Sequence, residues 1–333
     1  MQTTSVMIQS LCVPCFNRCR YCLLSWDGKA EGANWDQSVE IAERFLRELR
    51  QQRPEIEGSF TFGYSMEHPD LKEALRTLRR LGSPMAEYLQ CDGMKLRNET
   101  ECRELMQLLR AEGVKQLNFT VYGLSDYHDR FAGRKGDYEL ILRMMKTARN
   151  AGLSLSTGIP LTEENIGQAE ELIDALRNTG SEKVFLTVPH EEGRGKSLSK
   201  VRLDMQSFLQ LSQETRRLLN ENVFRAESAW LKEADPVRDS RRMILISLRP
   251  DNIDRCRDRN VLDMIHEIEE LDRQYYAAFP SFHELAERYR HPDSDKIYRI
   301  RDLYYHYRMQ YKQDHGICIY DVTDERQSGS RRY

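Results

Sequence analysis

Short β-rich runs alternate with amphipathic helical stretches and predict an α/β chain: a partial (β/α)6 TIM-like barrel with a mainly helical, tyrosine-rich C-terminal extension. Three observations point there. Six strand-like runs recur along the first part of the sequence, each followed by polar-apolar periodic residues. Half of the cysteines come directly after the first run. Beyond about Asp204 helical periodicity dominates and tyrosine accumulates, which divides the chain into 1–203 and 204–333.

In order, the first strand is expected over 5–11 and ends at the cysteines. Its helix covers 37–51, where Ile41, Ala42, Phe45 and Leu46 share one face and charges take the other. Strands follow at 59–62, 87–91, 116–121, 154–159 and 183–188, with helices at 71–81, 101–112, 138–151 and 164–178 between them. Such a repeat builds a parallel sheet whose chemistry lies at the C-terminal strand ends. A closed eight-unit barrel needs two more strands. Residues 243–248, Met-Ile-Leu-Ile-Ser-Leu, read as a strand but come so late that their place stays open.

Composition narrows the class. Hydrophobic residues make up 40% and charged ones 31% of 333 residues, enough for a sizeable core under a solvated surface. Fifty Lys+Arg against 53 Asp+Glu give a net charge of −3, which disfavours a generally basic nucleic-acid binder. No apolar run approaches the ~18–20 residues that span a bilayer. The start, Met1-Gln-Thr-Thr-Ser, lacks the basic region of a secretory signal, so a reducing cytoplasmic location is expected.

Eight cysteines in that setting do not read as a disulfide framework. Four fall within eleven residues: Cys12, Cys15, Cys19 and Cys22. Structural zinc sites use two C-x2-C pairs a dozen or more residues apart, and the loop between Cys15 and Cys19 is too short for that. The bacterial ferredoxin run ends C-x3-C-P, which is absent here. What is present is C-x3-C-x2-C at Cys15, Cys19 and Cys22, three thiolates that can hold three irons of a cubane and leave the fourth open. A zinc knuckle or a reactive-thiol cluster is the alternative. Cys12 stands outside the triad as a buried thiol.

With Tyr21 just before its last cysteine, the stretch 10–24 resembles the segment after the first barrel strand in the radical S-adenosylmethionine (radical SAM) enzymes. The resemblance covers about residues 5–200. It implies one [4Fe-4S] cluster on Cys15, Cys19 and Cys22, with S-adenosyl-L-methionine chelated to the open iron and cleaved reductively. A hydrogen-abstracting radical results. Tyr21 inherits the place against the adenine.

The other strand ends extend the resemblance. After the second strand, His68-Pro69-Asp70-Leu71 is retained, and Gly63 allows close backbone approach. Tyr64 stands where the family has Glu, leaving Ser65 or backbone carbonyls for the cofactor's amino group. After the third, Asp92-Gly93 occupies the family's Thr-Asn-Gly turn; Asp92 either faces substrate or caps the turn. The fourth strand, Phe119-Thr-Val-Tyr-Gly, puts Thr120 at the ribose contact. His128-Asp129 reads either as an acid/base pair or as a loop closure. After the fifth, Thr162 is an N-cap and Asn165 a cofactor contact. After the sixth, Gly193-Arg194-Gly195 resembles the family's turn, with Arg194 toward the carboxylate, the alternative being a solvated basic turn.

In the C-terminal third, ten of sixteen tyrosines lie from Tyr275 onward, and Ile300, Tyr304, Tyr307 and Tyr311 share a helical face interleaved with arginines. A cap closing the open end of the barrel is the economical reading. Cys91, Cys102, Cys256 and Cys318 are too scattered for an auxiliary cluster. The expected function is hydrogen abstraction from a substrate that is a peptide or protein side chain, with a nucleoside or small metabolite as alternative. An external flavodoxin- or ferredoxin-like electron donor is implied. A non-catalytic iron–sulfur redox-sensing module is the reading from another class.

Overall fold

The computed structural model describes residues 2–22, 32–63, 66–190, 193–236, 241–291 and 295–317. The expected α/β alternation is present: β1 (Gln2–Ser10), α1 (Trp35–Gln52), β2 (Glu57–Thr61), α2 (Leu71–Arg80), β3 (Tyr88–Gln90), α3 (Glu99–Ala111) and β4 (Gln116–Thr120). Then come α4 (Ser125–Ala132), α5 (Asp137–Asn150), β5 (Ser154–Pro160), α6 (Ala169–Thr179) and β6 (Lys183–Thr187). Helices start where the sequence supplies caps. The Asn34 side chain accepts from Gln37 N and Asp70 from Glu73 N, and Asn98 with Glu101 makes a full capping box.

All ladders among these strands are parallel, in the orders β2-β1 and β3-β4-β5-β6. The late run at 243–248 belongs to a further strand. Following the two-residue β7 (Arg225–Ala226), β8 (Arg241–Leu248) pairs parallel with β1 on the side away from β2, in the register Val6↔Ile244 and Ile8↔Ile246. Its near-continuous apolar sequence suits a parallel strand covered on both faces. The main core fills between these strands and the α1, α2, α3, α5 and α6 faces, and helix Val261–Ala277 adds Val261, Met264, Ile265 and Ile268.

Helix α4 stands where the sequence reads as loop. Its buried residues are His128, Phe131 and Ala132 rather than an aliphatic stripe, so periodicity of aliphatics misses it. The tyrosine-rich segment folds as helices Phe282–Tyr289 and Ile300–His315 and a small β9 (Ile297–Tyr298) antiparallel to β7. Tyr289, Tyr298, Tyr304 and Tyr307 pack with Trp230, Phe282 and Leu303 in a second core of their own. The aromatic face is thus consumed inside this unit. Polar links tie it to the segment after β6: Arg202 donates to Pro189 O (2.8 Å) and Ile297 O (2.9 Å), and His190 meets Asp302 at 3.0 Å.

Candidate functional site

Leaving β1, the cysteine loop is clamped by the segments after β3 and β6 and by the end of α4. Phe16 N donates to Gly93 O (2.8 Å) after β3. Arg18 N and Arg20 N donate to Ala132 O (2.7 Å) and Phe131 O (2.9 Å) at the end of α4. Cys22 O accepts from Arg194 N (3.1 Å) after β6, while Arg194 Nε donates to Cys19 O (3.1 Å). A loop of irregular backbone needs such partners, and here two strand–loop segments and one helix end supply them.

The clamp brings Cys15, Cys19 and Cys22 within electrostatic reach of one another: Cys15 feels Cys22, and Cys19 feels both. Cys12 is elsewhere, its sulfur 3.9 Å from Phe62 O, and burial pushes its thiol up to about 11. Burial likewise pushes Cys15 up to about 11 and raises Cys19. Burial alone raises all of these thiols, Cys12 included, so what sets the triad apart is its spacing and its shared loop. Among the described residues no three metal-ligating side chains converge on a single-ion site. Thiolates of a cubane each bind a different iron and need not converge so tightly.

Two glycines let neighbouring segments pack closely on the cysteine loop. At Gly93, with φ +63°, an added Cβ would lie 2.1 Å from Cys15 Sγ. At Gly195 it would lie 2.2 Å from His190 O and 3.5 Å from Tyr21 O. Both are positions where a side chain would fill the room the loop needs. The donor set, three cysteines in one clamped loop, fits an iron–sulfur group in its chemistry.

Facing the cysteines, the ends of β3 and β4 carry a polar cluster. Asp92 accepts from Thr120 N (3.0 Å), Thr120 Oγ1 (2.8 Å) and Gln90 Nε2. Burial pushes its carboxyl up to about 6, against the pull of those hydrogen bonds. Thr120 is therefore joined to Asp92, and Asp92 is the centre of this cluster. Tyr21 lies with its ring edge-on to Tyr122 (centroids 5.6 Å) and 5.9 Å from Phe131. Gly63 sits by Val13 and Ser10 O at the loop's start. Ser65, with Tyr64, lies outside the described residues.

Asn165 is placed differently from the cofactor contact expected of it. It is buried; its Oδ1 accepts from Thr162 N (2.7 Å), and its Nδ2 donates to Tyr122 O (2.7 Å) and Pro160 O (2.8 Å). Its amide ties β5 to the segment after β4. His128 works beside it. Its Nδ1 accepts from Tyr122 N (3.1 Å), which leaves Nε2 protonated toward Asp137 at 3.1 Å. Asp137 also accepts from Asn17 Nδ2 (2.8 Å) and from Arg134. Burial alone would raise Asp137, but His128 and Arg134 hold it below the usual range. Asp129 accepts from Gly136 N (2.6 Å) and Tyr138 N (2.9 Å). Both members of the His128-Asp129 pair thus close the loop. Sequence reasoning missed Tyr122, Asn17, Gln90 and Asp137. Only Tyr122 carried a signal, its place two residues after Thr120.

The family model described as "Radical SAM superfamily" matches residues 11–176. Among curated proteins, an Fe-coproporphyrin III synthase from Methanosarcina barkeri (strain Fusaro / DSM 804) is 23% identical over 158 residues, 45% of this chain and 40% of that protein. The match thus spans well under half of the relative's length. Among solved structures, Streptococcus suis SuiB bound to precursor peptide SuiA aligns with a TM-score of 0.46 at 14% identity, over 63% of this chain and 44% of that one. Escherichia coli coproporphyrinogen III oxidase (HemN), described as a radical SAM enzyme, aligns with a TM-score of 0.44 at 15% identity, over 67% and 54%.

Proposed function

Because the chain belongs to the radical SAM superfamily, we propose that it is an enzyme holding one [4Fe-4S] cluster on Cys15, Cys19 and Cys22, with S-adenosyl-L-methionine beside it. When bound, the two groups supply reductive cleavage of S-adenosylmethionine and abstraction of a substrate hydrogen. The observation that carries the reading is the three-sided backbone clamp on the loop of the triad, from the ends of β3, α4 and β6.

The chain's own residues then bind and orient. Tyr21 offers a ring to the adenine, and Gly63 and Ser65 offer backbone and hydroxyl to the amino group. Thr120, held by Asp92, offers a polar edge to the ribose. Arg194 braces the loop through Cys19 O and Cys22 O, and the rest of its guanidinium is proposed to meet the cofactor's carboxylate. Asn165 acts through Tyr122, whose carbonyl it holds. For substrate, a peptide or protein side chain comes first and a nucleoside or small metabolite second. The buried tyrosine core gives neither a ready-made aromatic platform. An external one-electron donor of the flavodoxin or ferredoxin kind completes the balance, in a reducing, cytoplasmic setting.

Anaerobic reconstitution tests the reading. The chain should take up about four irons, the number in one cubane, and release 5′-deoxyadenosine when given S-adenosylmethionine and a reductant. Cys15→Ala, Cys19→Ala and Cys22→Ala should each abolish iron loading, whereas Cys12→Ala should retain it. Zinc uptake in place of iron, or loss of the cluster in Cys12→Ala, would sink the assignment. Iron loading without any cofactor cleavage would favour a redox-sensing module.

A further inference from the structure

Tyr122 is a buried residue two positions beyond β4 whose phenol donates to Cys19 Sγ at 3.1 Å. Little freedom is left to it. Its ring stacks against His128 (centroids 5.0 Å) and Phe131 (4.5 Å). Its backbone is held at both ends, N–H on His128 Nδ1 (3.1 Å) and C=O by Asn165 Nδ2 (2.7 Å). A phenol fixed in this way in a dry setting keeps its bond whether or not the sulfur gains charge.

Resting on the proposed cluster, we infer that Tyr122 sets the cluster's reduction potential by hydrogen-bonding the ligand sulfur of Cys19. One-electron reduction adds negative charge to a cluster and to the thiolates that hold it. A donor aimed at one of those sulfurs stabilises the reduced form more than the oxidised one and so raises the potential. His128 and Asn165 are positioning residues in this account, acting through the Tyr122 backbone. Asn17, bound to Asp137 as His128 is, couples the same frame to the cysteine loop.

The experiment is an anaerobic redox titration of the reconstituted protein followed by EPR, without S-adenosylmethionine, with iron content measured alongside. Tyr122→Phe keeps the ring and removes the donor. It should load iron as the wild type does, yet its reduced-to-oxidised ratio at a fixed potential should fall roughly tenfold, about 59 mV downward for one electron. Tyr127→Phe, whose phenol bonds Glu164 at 3.0 Å instead, is the control and should leave the potential unchanged. An iron-loaded Tyr122→Phe protein with the wild-type potential overturns the inference. If Tyr122→Phe fails to assemble, 3-fluorotyrosine at position 122, a stronger donor on the same ring, decides. An upward shift supports the inference and an unchanged potential overturns it. Failure of the wild type to load iron instead counts against the proposed function itself.

Discussion

Burial holds the Asp92 carboxyl at about 6 although Thr120 and Gln90 donate to it, so the folded chain keeps a proton there that the unfolded chain releases at lower pH. Between the two values the native state binds more protons. Stability from this group is therefore full below the unfolded pKa and declines as pH rises through about 6. In the cluster-free chain, wild-type stability relative to Asp92→Asn should fall between about pH 4 and pH 6 and level off above. Urea denaturation at a series of pH values reads this directly, and parallel profiles for the two proteins would contradict it. Residues of this kind divide by how they can be read. Cys15, Cys19 and Cys22, the proposed ligands, stand out because they share one loop at a spacing with few chemical uses. Asp92 was legible only as a turn residue or a substrate contact, since its partner Thr120 is 28 positions away.

Among elements, α4 shows how a short helix positions the site without looking like one. The turn from α4 into α5 places His128 and Asp137 together, and from there one hydrogen bond reaches Tyr122 N and another reaches Asn17 in the cysteine loop. His128 is fully buried and both of its ring nitrogens are used. His128→Ala leaves the Tyr122 N–H without its acceptor and removes a donor from the buried Asp137, costing about 2–4 kcal/mol. The measurement is the urea midpoint at constant m-value. A loss below about 0.5 kcal/mol would mean that water or Arg134 replaces the imidazole, and the frame around Tyr122 would then be looser than drawn. The six strands and their helices were legible because each carries its own local period. Helix α4 was not, because its buried face is one histidine, one phenylalanine and one alanine.

On the scale of the whole molecule, the sheet does not end where the strand–helix alternation ends. A division of the sequence at 203 leaves β8 in the second part, yet β8 lies against β1, the strand that carries the cysteine loop. Nothing local could show this, because the pairing joins residues more than two hundred positions apart and a single apolar run does not name its neighbour. Its consequences are physical. Without 204–333, β1 loses a ladder of eight paired positions, and α1 loses helix Val261–Ala277, which packs against it and whose Val261 N donates to Glu48. An open apolar edge on a parallel sheet favours self-association over folding. A chain ending at 203 should therefore aggregate or unfold without a cooperative transition, and should fail to hold iron on an intact triad. Supplying 204–333 as a second polypeptide should restore part of both, because β8 can still pair with β1 in trans. Thermal unfolding by circular dichroism, with iron content after reconstitution, measures the two effects. If residues 1–203 alone melt cooperatively and load iron to the full-length level, β8 is an ornament on a sheet that stands without it. If they do not, the site's first strand depends on the most distant part of the sheet, and substitutions at buried Ile244 or Ile246 should weaken cluster retention without touching a ligand.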